Sequence, residues 1–372
     1  MKIGLLHTTF PPDVNAGAEL QTQQVAAVMA ARGHEVTVFT RRFNGRPFVQ
    51  QQDGYTIHRR RALPLPKARM AWDVISAVHQ IRRHTPRLDV LLCYQTLSSG
   101  YVGTVAQSLL GIPAVVSIRG DVEYRLDLSL ANRRLAPGVY RKAARIIVQS
   151  PRILQDLQDQ LARAGRQSLF EVIRPKVAVI PNGVHLRFGP PARGDKIVYV
   201  GRLIRGKGVA DLLQALRSLP DAPAVIVGDG PERPRLEEMA AGLPVEFVGK
   251  VAPQEVAGYL QQARLLVLPS YLEGLPNVIL EAMAQGVPVV TTRTGGMPDV
   301  VRHEETGLLF EPGQVEQLVQ HLRRLRADDA LWQRCSAHGQ EAVREYGWDA
   351  VAPRMEELLQ EAVRSHGERR SA

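Results

Sequence analysis

Short apolar runs, each closed by Gly, Pro or Asp, alternate along almost the whole chain with amphipathic stretches of helical length, and the alternation starts afresh near the middle. That pattern belongs to parallel α/β domains, because a parallel strand needs a helical crossover to reach its neighbour and is buried on both faces. In the first half, strands are expected at Lys2–His7, Glu35–Thr40, Asp89–Tyr94, Ala114–Ile118, Arg145–Gln149 and Val177–Pro181. Ala18–Arg32, closed by Gly33, reads as a helix; so does the stretch from Ser150-Pro151 to about Arg163, with Ser as cap and Pro just inside. Pro181-Asn182-Gly183 ends the last of these strands, and Pro190-Pro191-Ala192-Arg193-Gly194 precedes a fresh one. A domain boundary is therefore expected near residue 190, giving units of 1–190 and 191–347. In the second half, strands are expected at Ile197–Val200, Ala224–Val227, Val245–Val248, Leu265–Leu268 and Val287–Thr291. Two open α/β domains facing each other would place ligands after the strand C-termini, in the cleft between them.

A chain of 372 residues with 45% hydrophobic content can fill a core in each half. Two distant cysteines, Cys93 and Cys335, offer neither a disulfide framework nor a zinc cluster, so a reducing, cytoplasmic compartment is expected. The N-terminal apolar run is too short for a signal peptide, and no run approaches the ~20 residues of a membrane span. Charge is unevenly divided. Residues 1–190 hold 26 Lys+Arg against 12 Asp+Glu, whereas residues 191–372 hold 21 against 25. The excess gathers in clusters such as Arg41-Arg42, Arg59-Arg60-Arg61 and Arg82-Arg83, each most simply read as a solvated face. Together they suit an anionic membrane surface or a phosphorylated acceptor; with 5% aromatics, stacking platforms for single-stranded nucleic acid are few, and no nucleic acid is expected.

The chemistry is expected just after strands. Ile197–Val200 runs into Gly201-Arg202-Leu203-Ile204-Arg205-Gly206-Lys207-Gly208, glycines for close backbone approach and cations for phosphate. A nucleotide P-loop needs Ser or Thr after its Lys to hold magnesium, and here that residue is Gly208. A diphosphate would be held by Arg202 and Lys207 without a metal. The segment Leu268–Val301 adds Glu273 in a turn, then Leu275, a helix with Pro276 at its first position, and Gly295-Gly296. Between Pro276 and Gln285 the polar residues are Asn277, Glu281 and Gln285, one narrow stripe that faces either water or a polar ligand. In the first half, Gly17-Ala18-Glu19 opens the helix after the first strand, where an α/β domain receives phosphate; a bare glycine there also serves a turn. Arg119-Gly120-Asp121 follows another strand. His7 is expected to be a buried, satisfied histidine, and Gly228-Asp229-Gly230-Pro231 a structural turn. No Gly-x-Gly-x-x-Gly follows either first strand, which disfavours a dinucleotide oxidoreductase.

These residues resemble the retaining GT-B-fold glycosyltransferases of glycosyltransferase family 4, over nearly the whole chain. The resemblance rests on Gly17-Ala18-Glu19, Pro181-Asn182-Gly183-Val184, Gly201-Arg202-Leu203 with Lys207-Gly208, Gly228-Asp229-Gly230-Pro231, and Glu273 with Glu281 ahead of Gly295-Gly296. It implies two Rossmann-like doubly wound domains, the first holding the acceptor, the second a nucleotide-diphosphate sugar donor. A C-terminal helix over 348–365 would cross back onto the first domain. Arg202 and Lys207 would neutralise the leaving diphosphate, Gly17 would lend its amide to a phosphate, and Glu281 would bind ribose hydroxyls. Glu273 would hold sugar hydroxyls beside the developing positive charge, and the backbone of Leu275, Pro276 and Asn277 would line the pocket. No metal or other cofactor is implied. Two positions depart from the family pattern. Arg119 stands where many members carry His, and a guanidinium is no base; His185 replaces an Asp after Pro-Asn-Gly-Val.

The expectation is a hexosyltransferase acting on a glycan or lipid-linked acceptor in cell-surface polysaccharide or glycolipid synthesis, peripheral at the inner membrane face. Arg119 and Asp121 fall on the acceptor or sugar side. A sugar-nucleotide epimerase of similar fold and a non-catalytic binding protein for nucleotide sugars or nucleic acid are the alternatives.

Overall fold

The computed structural model describes all residues except 13–16, 44, 62–68, 84–87, 120–125, 127–128, 190, 192–193 and 372. The chain divides into two compact units, one of residues 1–183 with 351–372, the other of residues 184–350.

The first unit is built on an eight-stranded sheet ordered β3-β4-β2-β1-β5-β6-β7-β8. Its strands are β1 (Lys2–Leu6), β2 (Glu35–Arg42), β3 (Val49–Gln52), β4 (Tyr55–Arg61), β5 (Val90–Tyr94), β6 (Ala114–Ser117), β7 (Arg145–Val148) and β8 (Val177–Val179). All neighbours pair parallel except β3 with β4. The central strands are buried over their whole length, as β5 is, because helices cover both faces. Local signals place those helices: Ser150 accepts the Ile153 amide at 3.3 Å and Pro151 opens the helix Pro151–Arg163, while Gly33 (φ +88°) stands two residues past the end of Gly17–Ala31.

Two strands of this sheet, β3 and β4, lie where the sequence reading places none. Asp53 and Gly54, with φ of +45° and +81°, make the two-residue turn joining them, the form that matches the strand twist. Arg59-Arg60-Arg61 is thereby not a solvated run. Strand β4 alternates, so Arg59 points inward beside Tyr55 and Ile57, 3% exposed, and donates to the Pro47 carbonyl at 3.3 Å. Only Arg61 is fully exposed. Residues 351–372 of the last helix, Trp348–Ser371, complete this unit. There Glu356 accepts from Arg32 Nε at 2.7 Å and Nη2 at 2.8 Å, and pairs with His34 Nε2 at 2.8 Å.

The second unit carries a six-stranded, all-parallel sheet ordered β11-β10-β9-β12-β13-β14. Its strands are β9 (Lys196–Val200), β10 (Ala224–Val227), β11 (Val245–Gly249), β12 (Ala263–Leu268), β13 (Val289–Thr292) and β14 (Gly307–Phe310). The last is an addition to the strands expected, four residues that open on Gly307 and are closed by Pro312-Gly313. Among the described residues, no helix is long and apolar enough to cross a membrane.

Candidate functional site

In the second unit the loops after β9, β10 and β12 are tied together by their backbones. Leu203 N donates to Asp229 O at 3.0 Å and Glu232 N to Leu203 O at 3.0 Å, stitching the first loop to the second. Glycine is required at the contacts. A Cβ on Gly228 (φ +137°) would lie 1.8 Å from Gly201 O, and one on Gly230 would lie 2.3 Å from Leu203 O. Buried Tyr199 holds the first loop from below, its hydroxyl donating to Arg202 O at 3.1 Å. Gly208 has a physical reason to replace the P-loop hydroxyl residue. It lies at φ +67°, and any Cβ there would meet Pro269 O at 1.9 Å.

The turn Arg205–Lys207 consequently sits against the segment after β12, with Tyr271 N donating to Gly206 O at 2.9 Å. Across this seam Lys207 Nζ bonds Glu273 Oε2, both side chains largely withdrawn from solvent. Glu273 is in turn backed by the Gly295-Gly296 pair: Gly295 (φ +53°) leaves no room for a Cβ, which would be 1.9 Å from Glu273 O, and Gly296 N donates to Gly274 O at 2.8 Å. Arg202 is exposed, and no carboxylate forms an ion pair with it among the described residues. Lys207 and Glu273 thus pair with each other, while Arg202, in the same loop as Lys207, has no carboxylate partner among the described residues.

The helix after Leu275 runs from Asn277 to Ala284, with Pro276 as its cap at ψ 127° rather than its first helical residue. The Ile279 amide turns back to Pro276 O at 3.1 Å. Ile279, Leu280 and Ala282–Ala284 are buried, leaving the expected stripe of Asn277, Glu281 and Gln285. That stripe is not simply wet. Glu281 keeps some surface exposure, yet desolvation raises its carboxyl above the ordinary carboxylate range, and Gln285 is buried with its Oε1 unpartnered among the described residues. Sequence reasoning reached the stripe but not the orphaned amide oxygen; the deciding signal is that Gln285 lies where the chain turns back into Val287.

In the first unit Gly17 opens its helix, exposed, with open space where a Cβ would stand. Neither packing nor a left-handed φ demands glycine there. Glu19, two residues on, is buried and accepts from Thr9 Oγ1 at 2.7 Å. Arg119 stacks over the Tyr94 ring at 4.3 Å and its Nη1 donates to Asn182 Oδ1, which also accepts from Gln149 Nε2 at 2.8 Å. Asn182 of the Pro-Asn-Gly-Val motif therefore positions the arginine that departs from the family pattern. Asp121 lies outside the described residues.

Parallel pairing adds something no motif showed. Tyr94 pairs with Ser117, and His7 continues β1 directly beside Tyr94, so Thr40, His7, Tyr94 and Ser117 form one row at the C-terminal edge of the sheet. All four are buried, and His7 Nε2 and Ser117 Oγ lack partners among the described residues, whereas the Tyr94 hydroxyl meets Arg119. His7 is buried as expected but only half satisfied. Its Nδ1 bonds Thr9 O, and burial lowers its pKa below the ordinary histidine value.

Residues 15–188 match Glycosyltransferase Family 4 and residues 194–328 match Glycosyl transferases group 1. The chain is also 30% identical over 378 residues to the phosphatidyl-myo-inositol mannosyltransferase of Mycobacterium leprae, taking in 95% of this chain and 94% of that one. The chain belongs to glycosyltransferase family 4. Sucrose-phosphate synthase from Thermosynechococcus elongatus superposes with a TM-score of 0.85 at 25% identity over 98% of this family 4 chain and 99% of its own. The fold is GT-B. The sulfoquinovosyl transferase SQD2 of Arabidopsis thaliana is 31% identical over 227 residues, 58% of this chain and 44% of that protein, so the chain spans less than half the length of that relative.

Proposed function

We propose that this protein is a retaining, metal-independent hexosyltransferase. It moves a sugar from a nucleotide-diphosphate donor to a hydroxyl of a glycan or lipid-linked acceptor, in polysaccharide or glycolipid synthesis at an anionic membrane face. The observation that carries the reading is the Lys207–Glu273 pair beside exposed Arg202, with the desolvated Glu281 carboxyl on the next helix.

Arg202 and Lys207 meet the diphosphate and stabilise the charge that grows as it leaves, which is electrostatic catalysis by groups already in place. For that, Lys207 exchanges Glu273 for phosphate. The freed Glu273 carboxylate accepts hydrogen bonds from sugar hydroxyls and lies near the developing oxocarbenium charge. Glu281 accepts from ribose hydroxyls. The anomeric carbon loses its bond to the diphosphate oxygen and gains one to the acceptor oxygen on the same face. The acceptor proton passes to the leaving phosphate oxygen, so no side-chain base is required. The first unit takes the acceptor, with Arg119 held rigid for an oxygen-rich group.

A thermal-shift screen of UDP-, GDP- and ADP-sugars in the presence of EDTA tests the donor side. The true donor at a hundred times its Kd stabilises by about 2.7 kcal/mol. Glu273→Ala should then bind the donor nucleotide yet slow transfer about a hundredfold or more, with the melting midpoint little changed. Undiminished transfer by that variant sinks the reading, and donor turnover without any acceptor points to an epimerase.

A further inference from the structure

The exposed apolar side chains of the first unit are gathered rather than scattered. Phe48 and Val49 stand at the start of edge strand β3, 42% and 54% exposed, and Trp72 and Ile75 on the helix Arg69–Arg82 are 39% and 64% exposed. The two groups adjoin. Trp72 Nε1 donates to Arg61 O at 3.0 Å, and the Arg61 guanidinium lies 5.7 Å from the Phe48 ring, which Arg42 covers from 4.2 Å. Along the helix the exposed line runs Ala71, Trp72, Ile75, His79, Arg82, apolar at one end and basic at the other. Arg42 and Arg61 flank the apolar centre at Phe48, and Arg82 and Arg83 are exposed at the far end of the helix. Of the acids on these elements, Asp73 is buried against Arg41, and Asp53 lies on the hairpin turn, at the opposite end of β3 from Phe48 and Val49. An apolar patch on a sheet edge invites pairing unless something covers it.

We infer that this face docks on an anionic lipid bilayer, with Phe48, Trp72 and Ile75 entering the headgroup boundary and the arginines meeting lipid phosphates. The inference rests on the membrane part of the proposed function and assigns it a surface. Nucleic acid fits less well, because Val49 and Ile75 have nothing to stack on there, whereas aliphatic side chains gain by leaving water for acyl chains.

The test is flotation of the full chain with vesicles of phosphatidylcholine alone and with one-third phosphatidylglycerol. Wild type should bind the anionic vesicles at least about tenfold more tightly than the neutral ones. The double variant Phe48→Ser/Ile75→Ser should lose about tenfold of that binding. Its melting midpoint, nucleotide-induced thermal shift and transfer to a soluble acceptor should match wild type. Equal binding to both vesicles, or a double variant that floats as wild type does, overturns the docking face. Retention on a DNA duplex at physiological salt without vesicle binding overturns it in favour of nucleic acid. Because soluble transfer is measured alongside, a failed docking face leaves the transferase reading standing, and failed transfer leaves the docking result interpretable.

Discussion

The two units organise their strand ends by opposite means. In the second, glycines at 208, 228, 230 and 295 press against carbonyl oxygens, so backbone fixes where Arg202, Lys207 and Glu273 project. In the first, side chains do the work: Arg119 is set by Asn182 and Tyr94, and in the row of Thr40, His7, Tyr94 and Ser117 the His7 Nε2 and Ser117 Oγ atoms have no partner among the described residues. A backbone-built site suits a ligand part that does not vary, such as a diphosphate. A side-chain-built site is changed one residue at a time, as the acceptor changes.

The contrast breaks most visibly at the glycines. Gly295→Ala and Gly208→Ala each force a methyl onto a carbonyl and a left-handed φ onto alanine, and should each cost about 2–3 kcal/mol in denaturant unfolding of the second unit. Losses under half a kilocalorie would mean that the loops give way and the site is not backbone-built. Next in size, Glu273→Gln frees Lys207 for phosphate. Nucleoside diphosphate should bind about fivefold more tightly by calorimetry, and weaker binding would show that the carboxylate itself helps hold the nucleotide.

Two carboxyls then pull stability in opposite directions with pH. Burial raises Glu281, so the folded chain keeps that proton to higher pH than the unfolded chain; its contribution is full at low pH and is lost as pH rises through the raised value. The Arg32 guanidinium, helped by His34, lowers Glu356 to about 2, so its contribution is present above the ordinary carboxylate range and is lost as pH falls towards that value. Unfolding titrations between pH 3 and 8 should show Glu356→Gln flattening the acid side and Glu281→Gln the neutral side. The smallest effect is expected at Ser117→Ala. Removing a buried hydroxyl that has no partner among the described residues should change stability by no more than about 0.5 kcal/mol. A loss above 1 kcal/mol would reveal a bound water or ligand group that the hydroxyl holds.

The same contrast decides what the sequence made legible. Glycine beside a cation, or a glycine pair, in the stretch after an apolar run records a backbone constraint locally, so Gly201-Arg202, Lys207-Gly208 and Gly295-Gly296 could be read in one dimension. The polar row could not, because Tyr94 and Ser117 meet only through strand register. The β3–β4 hairpin went unread for a different reason. Arg59, Arg60 and Arg61 look like a solvated run, although Asp53-Gly54 ahead of them is a strong hairpin signal and Tyr55, Ile57 and Arg59 keep the period of a strand. The pairing of Glu356 with Arg32 and His34 spans more than three hundred residues and leaves no local trace.

The carbonyls behind Gly208, Gly228, Gly230 and Gly295 also set what can be engineered. A library randomised across the loops after β9, β10, β12 and β13 would return glycine at all four positions whatever ligand was selected for. Under the proposed reading, diversity aimed at a new sugar is better placed at Asn277 and Gln285 than at Arg202, which meets the unvarying diphosphate, or at the four glycines, which hold the frame.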